Sequence, residues 1–135
     1  MSTYRVTKEI DFCYGHRLQD YDGKCQHVHG HNGTAEIELA SDELDDRGMV
    51  VDFGDIKDDV KGWIDDTIDH TMLVREDDPL IEQLDEIGEP YHAMEQNPTA
   101  EAIAEMIYGY AEAAGHPVAA VRLWETGTSY ATYEG

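Results

Sequence analysis

Apolar and polar residues alternate through YRVTKEIDF, residues 4–12, where Tyr4, Val6, Ile10 and Phe12 share one face and only Lys8 interrupts it. A period of two predicts a half-buried strand. GTAEIELA, residues 33–40, repeats the pattern with Ala35, Ile37 and Leu39 opposite Thr34, Glu36 and Glu38, so the two runs are expected to pair as a hairpin. The period then changes. Phe53, Ile56, Val60, Ile64 and Ile68 recur at intervals of three and four, the spacing of an amphipathic helix, with Asp52 or Asp55 placed to cap its start. A second helix is expected to begin after Thr99, a side chain suited to an N-cap, and to carry Ile103, Met106, Ile107, Tyr110 and Ala114 to a stop at Gly115.

After Pro117, VAAVRLWE and TSYATYE form two short strand-like runs around the turn TG, a second hairpin. Residues 71–97 are acidic, contain Pro79 and Pro90, and read as a long loop or lid with at most one short helix at LIEQLDEI. The order ββααββ predicts an α+β fold, a four-stranded antiparallel sheet with two helices on one face. At 135 residues the chain fits a single domain, 1–135, whose modest core would gain from oligomerisation.

Thirty acidic residues against nine Lys and Arg give a net charge of -21, which excludes a basic face for nucleic acid or anionic membrane. Clusters such as DELDD, DIKDD and REDD resemble surfaces adapted to high salt, where screening relieves self-repulsion. No apolar run of about 18 residues occurs and MSTYRVTKEID lacks the apolar core of a signal peptide, so the chain is expected to be soluble and cytoplasmic. Two cysteines are few for a secreted disulfide scaffold. Cys13, on its strand, is expected to be a small buried apolar side chain, whereas Cys25 sits among histidines.

In KCQHVHGHN, residues 24–32, Cys25, His27, His29 and His31 all fall on odd numbers, and in an extended strand all four would share a face. His29 and His31 alone present two imidazoles, and a third from His16, just past the first strand, or from His27 would complete a three-nitrogen site; spacing does not choose between them. Three histidines around Zn2+ leave an open coordination position, the mark of a catalytic site. A cation near Cys25 would favour its thiolate as base or nucleophile, the plainer reading being a buried thiol. Asp69 beside His70 suits a proton relay, or else is a solvated pair at a helix end. Glu125, in LWETGTS, is either a solvated strand end or an acceptor for a ligand with two parallel N–H donors.

His16, the C-x-x-x-H-G-H run from Cys25 through His29 and His31, V-D-F at 51–53, D-H-x-x-L at 69–73, P-T-x-E at 98–101 and W-E-T-x-T-S at 124–129 together resemble the 6-pyruvoyl-tetrahydropterin synthase and 6-carboxytetrahydropterin synthase family over nearly the whole chain. The short Cys-to-His gap resembles the carboxytetrahydropterin branch, which serves 7-deazaguanine (queuosine, archaeosine) biosynthesis. The resemblance implies the tunnelling fold, assembled as a homohexamer of two stacked trimers. It implies a pterin triphosphate substrate, 7,8-dihydroneopterin triphosphate, and the products 6-carboxytetrahydropterin, acetaldehyde and triphosphate, the alternatives being the pyruvoyl product or a non-catalytic module. It further implies Zn2+ on His16, His29 and His31, catalysis by Cys25, Asp69 and His70 with the Asp–His pair supplied by an adjacent subunit, and pterin binding by Glu125 with Thr99 and Thr126. Val74 stands where the family often has Asn, and the loop after it is longer than usual. Lys24, Arg17 and His27 are the nearest candidates for the triphosphate.

The charge reading has a direct test. Raising salt from about 0.1 to about 1 M shortens the screening length from about 10 to about 3 Å. The unfolding temperature is expected to rise by several degrees over that range, and an unchanged value would remove the high-salt interpretation.

Overall fold

The computed structural model describes residues 3–135. Its spine is a hairpin of β1 (Tyr4–His16) and β2 (His29–Ser41), antiparallel in unbroken register from Tyr4↔Ser41 to His16↔His29. Both strands run further than their apolar alternation predicts, because the pattern continues through Tyr14, His16, His29 and His31 with aromatic and imidazole rings in place of aliphatic ones. His16 is therefore the last residue of β1 rather than the first beyond it. The expected single face for the odd-numbered run is corrected: Cys25 lies in a 3-10 turn, Lys24–Gln26, and only His29 and His31 are on the strand. Twelve loop residues separate the two strands, and a strand could not turn back without breaking that alternation.

The first helical region is three consecutive pieces: α1 (Phe53–Ile56), a π-helical turn (Lys57–Lys61) and α2 (Gly62–Thr67). Asp52 caps it, its Oδ1 accepting from the Gly54 N–H at 2.8 Å. Ile56, Val60, Ile64 and Ile68 are fully buried. Steps of four overshoot an α-helical turn by about 40° each, and the wider π-helical turn counters that drift, keeping the four side chains on the sheet. Phe53, expected on that stripe, is 47% exposed.

Residues 71–97 correct the loop reading. They form β3 (Thr71–Arg75), α3 (Leu80–Ile87) and β4 (Tyr91–Met94), with β3 parallel to both β1 and β4. The helix falls where LIEQLDEI predicts it; the four- and five-residue strands on either side carry too little alternation to be read alone. Then come α4 (Ala100–Ala113), β5 (Val118–Thr126) and β6 (Ser129–Tyr133). The sheet thus has six strands, not four, in the order β4-β3-β1-β2-β5-β6, and is mixed rather than purely antiparallel, while the α+β class stands. Ile103, Ile107 and Ala111 of α4 join Ile56, Ile64 and the inward residues of β1, β2 and β5 in one core, and Trp63 stacks on Tyr110 with ring centroids 4.6 Å apart.

A buried ionic knot ties the β1–β2 loop to the rest. The Arg17 guanidinium makes two hydrogen bonds to the carboxylate of Asp78, whose side chain has no solvent exposure and also accepts from the Leu80 N–H at 2.8 Å. Asn97 clasps the Gln19 backbone on both sides, accepting from its N–H and donating to its C=O, each at 2.8 Å. The Arg17 hydrogen bonds hold the Asp78 carboxyl below its ordinary 3.8. That stabilisation is present above pH 3.8 and is lost as the pH falls through the lowered folded-state pKa. Asp78→Asn is accordingly expected to lower unfolding free energy by about 2 kcal/mol at neutral pH, with the gap to wild type closing in acid; a pH-independent gap in urea titrations would assign the loss to packing instead.

Candidate active site

The ladder places His16 opposite His29 and Tyr14 opposite His31, and since alternate residues share a face, all four rings lie together on the helix side of the sheet. The three imidazoles form a near-equilateral triangle with centroid separations of 4.5, 5.1 and 5.1 Å. One ring nitrogen from each lies within 4.8 Å of the others. Tyr14 packs edge-on to His16 at 5.2 Å. Glycines make room for this: a Cβ on Gly33 would stand 3.0 Å from the Tyr14 ring, and one on Gly30 3.1 Å from the Tyr14 carbonyl oxygen.

Backbone carbonyls set the tautomers. His16 Nδ1–H donates to Pro98 C=O at 2.6 Å, and His29 Nδ1–H donates to His27 C=O at 2.7 Å. Each bond leaves the Nε2 lone pair directed inward, the second-shell arrangement of metal-ligating histidines. His16 Nε2 is buried with no hydrogen-bond partner, a costly state for a polar atom unless something occupies the centre of the triangle. Burial also pushes the His16 pKa below 6.5, toward the neutral form that ligates. The donor set fits zinc, with three nitrogens and room for a further ligand.

Glu125, at the end of β5, brings Oε1 to 3.9 Å from His16 Nε2 and accepts from the Tyr14 hydroxyl at 3.4 Å. Burial, together with the charge of Glu125, raises the Tyr14 pKa, so the phenol remains a donor. Thr99 lies one residue beyond the carbonyl that orients His16 and caps α4, its Oγ1 accepting from Ala102 N–H at 3.1 Å. Thr126 does not join Glu125: its side chain lines a depression with Glu36 and Trp124 on the opposite face.

Asp69 and His70 occupy the turn between α2 and β3, beside β1. Asp69 Oδ1 accepts from Cys13 N–H at 3.0 Å, and His70 N–H donates to Cys13 C=O at 2.7 Å. His70 adopts a positive φ of 55° and is 79% exposed at its side chain. Within one chain the thiol beside this pair is Cys13, its Sγ 3.3 Å from His70 Nδ1, and not Cys25. Cys13 is half-buried, which corrects its reading as an inert core residue. Cys25 is also half-buried, in the loop that joins the two histidine-bearing strand ends. A cavity of about 620 Å³ joins His29 and His31 to Cys13 and His70. Arg17, expected near a triphosphate, is instead held by Asp78; Lys24 makes no ion pair among the described residues. Tyr14 and the Pro98 carbonyl were not anticipated, although Tyr14 could have been found by carrying the strand alternation two residues past Phe12.

Three histidines, Tyr14 and Glu125 thus meet at one end of a mixed sheet in an α+β domain. The 6-pyruvoyl tetrahydropterin synthase family model matches residues 5–135, and the chain belongs to that family and is an enzyme of it. It is 43% identical over 102 residues to 6-carboxy-5,6,7,8-tetrahydropterin synthase of Rickettsia bellii, covering 74% of each chain. To the protein of the same name from Aquifex aeolicus it is 39% identical over 159 aligned positions, covering 97% of this chain and 98% of the other. The crystal structure of an uncharacterised protein from Wolinella succinogenes superposes with a TM-score of 0.84 at 28% identity, over 100% of this chain and 99% of that one.

His29→Ala is expected to reduce zinc from about one ion per chain to a small fraction after dialysis, since two imidazoles hold the ion weakly, while His27→Ala keeps it. Zinc retained by His29→Ala and lost by His27→Ala would replace one ligand by the other.

Proposed function

We propose that the chain is a zinc-dependent 6-carboxy-5,6,7,8-tetrahydropterin synthase. It would convert 7,8-dihydroneopterin triphosphate and water to 6-carboxytetrahydropterin, acetaldehyde and triphosphate, in the cytoplasm, as a homohexamer, on the route to 7-deazaguanine nucleosides. The observation that carries this reading is the histidine triangle, with its partnerless His16 Nε2, placed 3.9 Å from the carboxylate of Glu125.

His16, His29 and His31 would hold the zinc, which supplies a Lewis acid for the side-chain hydroxyls of the pterin. Glu125 would accept the two parallel N–H donors of the pterin amidine edge, fixing the ring. Tyr14, donating to Oε1 of Glu125, aims that carboxylate. Cys25, as thiolate, would take the proton from the side-chain carbon next to the ring, and His70 would exchange protons with the hydroxyls. Asp69, whose Oδ2 lies 3.7 Å from His70 Nε2, would orient that ring. In this reading Cys25 meets the Asp69–His70 pair of an adjacent copy, so a dissociated chain has no activity.

Incubating the zinc-loaded protein with dihydroneopterin triphosphate is expected to yield carboxytetrahydropterin and acetaldehyde in equal amounts by mass spectrometry. A pyruvoyl pterin without acetaldehyde would move the chain to the other branch of the family, and no turnover would leave a binding module. Glu125→Gln removes a charge-assisted pair of hydrogen bonds, each worth about 1.5–3 kcal/mol, and is expected to lower kcat/KM at least about tenfold; unchanged kinetics would take Glu125 out of the pterin site.

A further inference from the structure

We infer that Cys13, Asp69 and His70 form a second metal site, separate from the three histidines and built around a thiolate, and that zinc bound there stops turnover. The first two residues are locked together through the backbone, Cys13 N–H donating to Asp69 Oδ1 at 3.0 Å, and His70 is tied to the same strand residue by its own N–H at 2.7 Å. Sulfur, imidazole nitrogen and carboxylate oxygen all lie within 4.8 Å of one another. Bond lengths of about 2.3 Å to sulfur and about 2.0–2.2 Å to nitrogen or oxygen in a tetrahedron put ligand atoms about 3.5 Å apart for S and N and about 3.3 Å apart for N and O. The observed separations are 3.5 Å from Cys13 Sγ to His70 Nε2 and 3.7 Å from that nitrogen to Asp69 Oδ2. Cys13 Sγ also lies 3.3 Å from His70 Nδ1, so the sulfur stands over the ring rather than on a nitrogen lone pair. Rotation of the exposed imidazole and closure of the Asp69 carboxylate would bring the three donors onto one ion.

Its chemistry differs from that of the histidine triangle. Thiolate, imidazole and carboxylate select a borderline-soft divalent cation such as zinc or cobalt over magnesium or calcium. Asp69 keeps Oδ1 on a backbone donor, which orients the ligating carboxylate. Within one chain the His70 side chain is 79% exposed and its ring is free to turn; in the assembly proposed above the fourth position falls to water or to a group of the adjacent copy. A net charge of -21 raises the local concentration of any divalent cation. On binding, the Cys13 thiol releases its proton to solvent and His70 commits a ring nitrogen to the metal.

Binding itself is independent of the proposed reaction; its effect on turnover rests on the reading of His70 as the proton carrier. An enzyme that needs one zinc on His16, His29 and His31 would then be inhibited by a second, and turnover against zinc would rise and fall.

Cobalt(II) reports the two sites separately, because only a thiolate ligand gives an intense sulfur-to-cobalt charge-transfer band in the near ultraviolet. Titrating the zinc-loaded protein with Co2+ is expected to add one further equivalent and that band. Cys13→Ser should abolish the band and the second equivalent, keep the first metal, and keep activity when zinc is in excess; Cys25→Ser should keep the band. Saturation without the band, or a band that survives Cys13→Ser and vanishes in Cys25→Ser, overturns the site. The band present with turnover unaffected by a second equivalent of zinc overturns the inhibition. None of the spectral outcomes depends on which pterin product is made.

Discussion

The β1–β2 ladder is the constraint on which the rest depends. Its thirteen strand residues on each side share one register, and side-chain orientation in that register decides the core and the site together. Ile10, Phe12, Ala35 and Ile37 face the helices, and the same parity two to six residues further along delivers Tyr14, His16, His29 and His31. A slip of one residue would expose the core and scatter the imidazoles in a single step. Core packing and the arrangement of the imidazoles therefore depend on one register, and the hydrophobic core serves as the device that enforces the geometry of the site.

Much of this was legible in the sequence. Both hairpins, the caps at Asp52 and Thr99, and the apolar stripes of the two main helices follow from period and capping chemistry, and the shared face of His29 and His31 follows from H-G-H on a strand. The limits lay where pattern is weakest. β3 and β4 are four or five residues long and pair in parallel, so their partners are remote in sequence and their own alternation is slight. The odd-numbered run from Cys25 suggested a strand, but a chain that must reverse between His16 and His29 cannot remain extended, and the 3-10 turn at Lys24–Gln26 takes Cys25 out of line. Cys13 was misread for a different reason: burial was inferred from its strand, while the side chain lies on the strand's other face, against a turn that arrives from residue 69.

Charge is managed locally. Arg5, Arg17, Arg47, Lys61, Arg75 and Arg122 each pair with a carboxylate, and most of these pairs are exposed and worth little individually. Arg17–Asp78 is the exception, because Asp78 is buried and its loss strands a cation at the base of the Cys25 loop. With so few free cations, an anionic substrate has little attraction to the surface at large. Affinity must come from the histidine-lined cavity and its immediate rim.

The position of the histidines at the closed end of a long ladder has one more consequence. In small zinc domains the ion supplies the folding energy, because the ligands are brought together only when it binds. Here the strands are already registered to His16↔His29, and the backbone carbonyls of Pro98 and His27 already hold two of the rings. An ion held by the triangle would be a guest in a finished frame. Its removal would leave a folded, refillable protein, and which metal occupies the triangle would be decided by the supply of ions around the molecule after folding rather than by the act of folding itself.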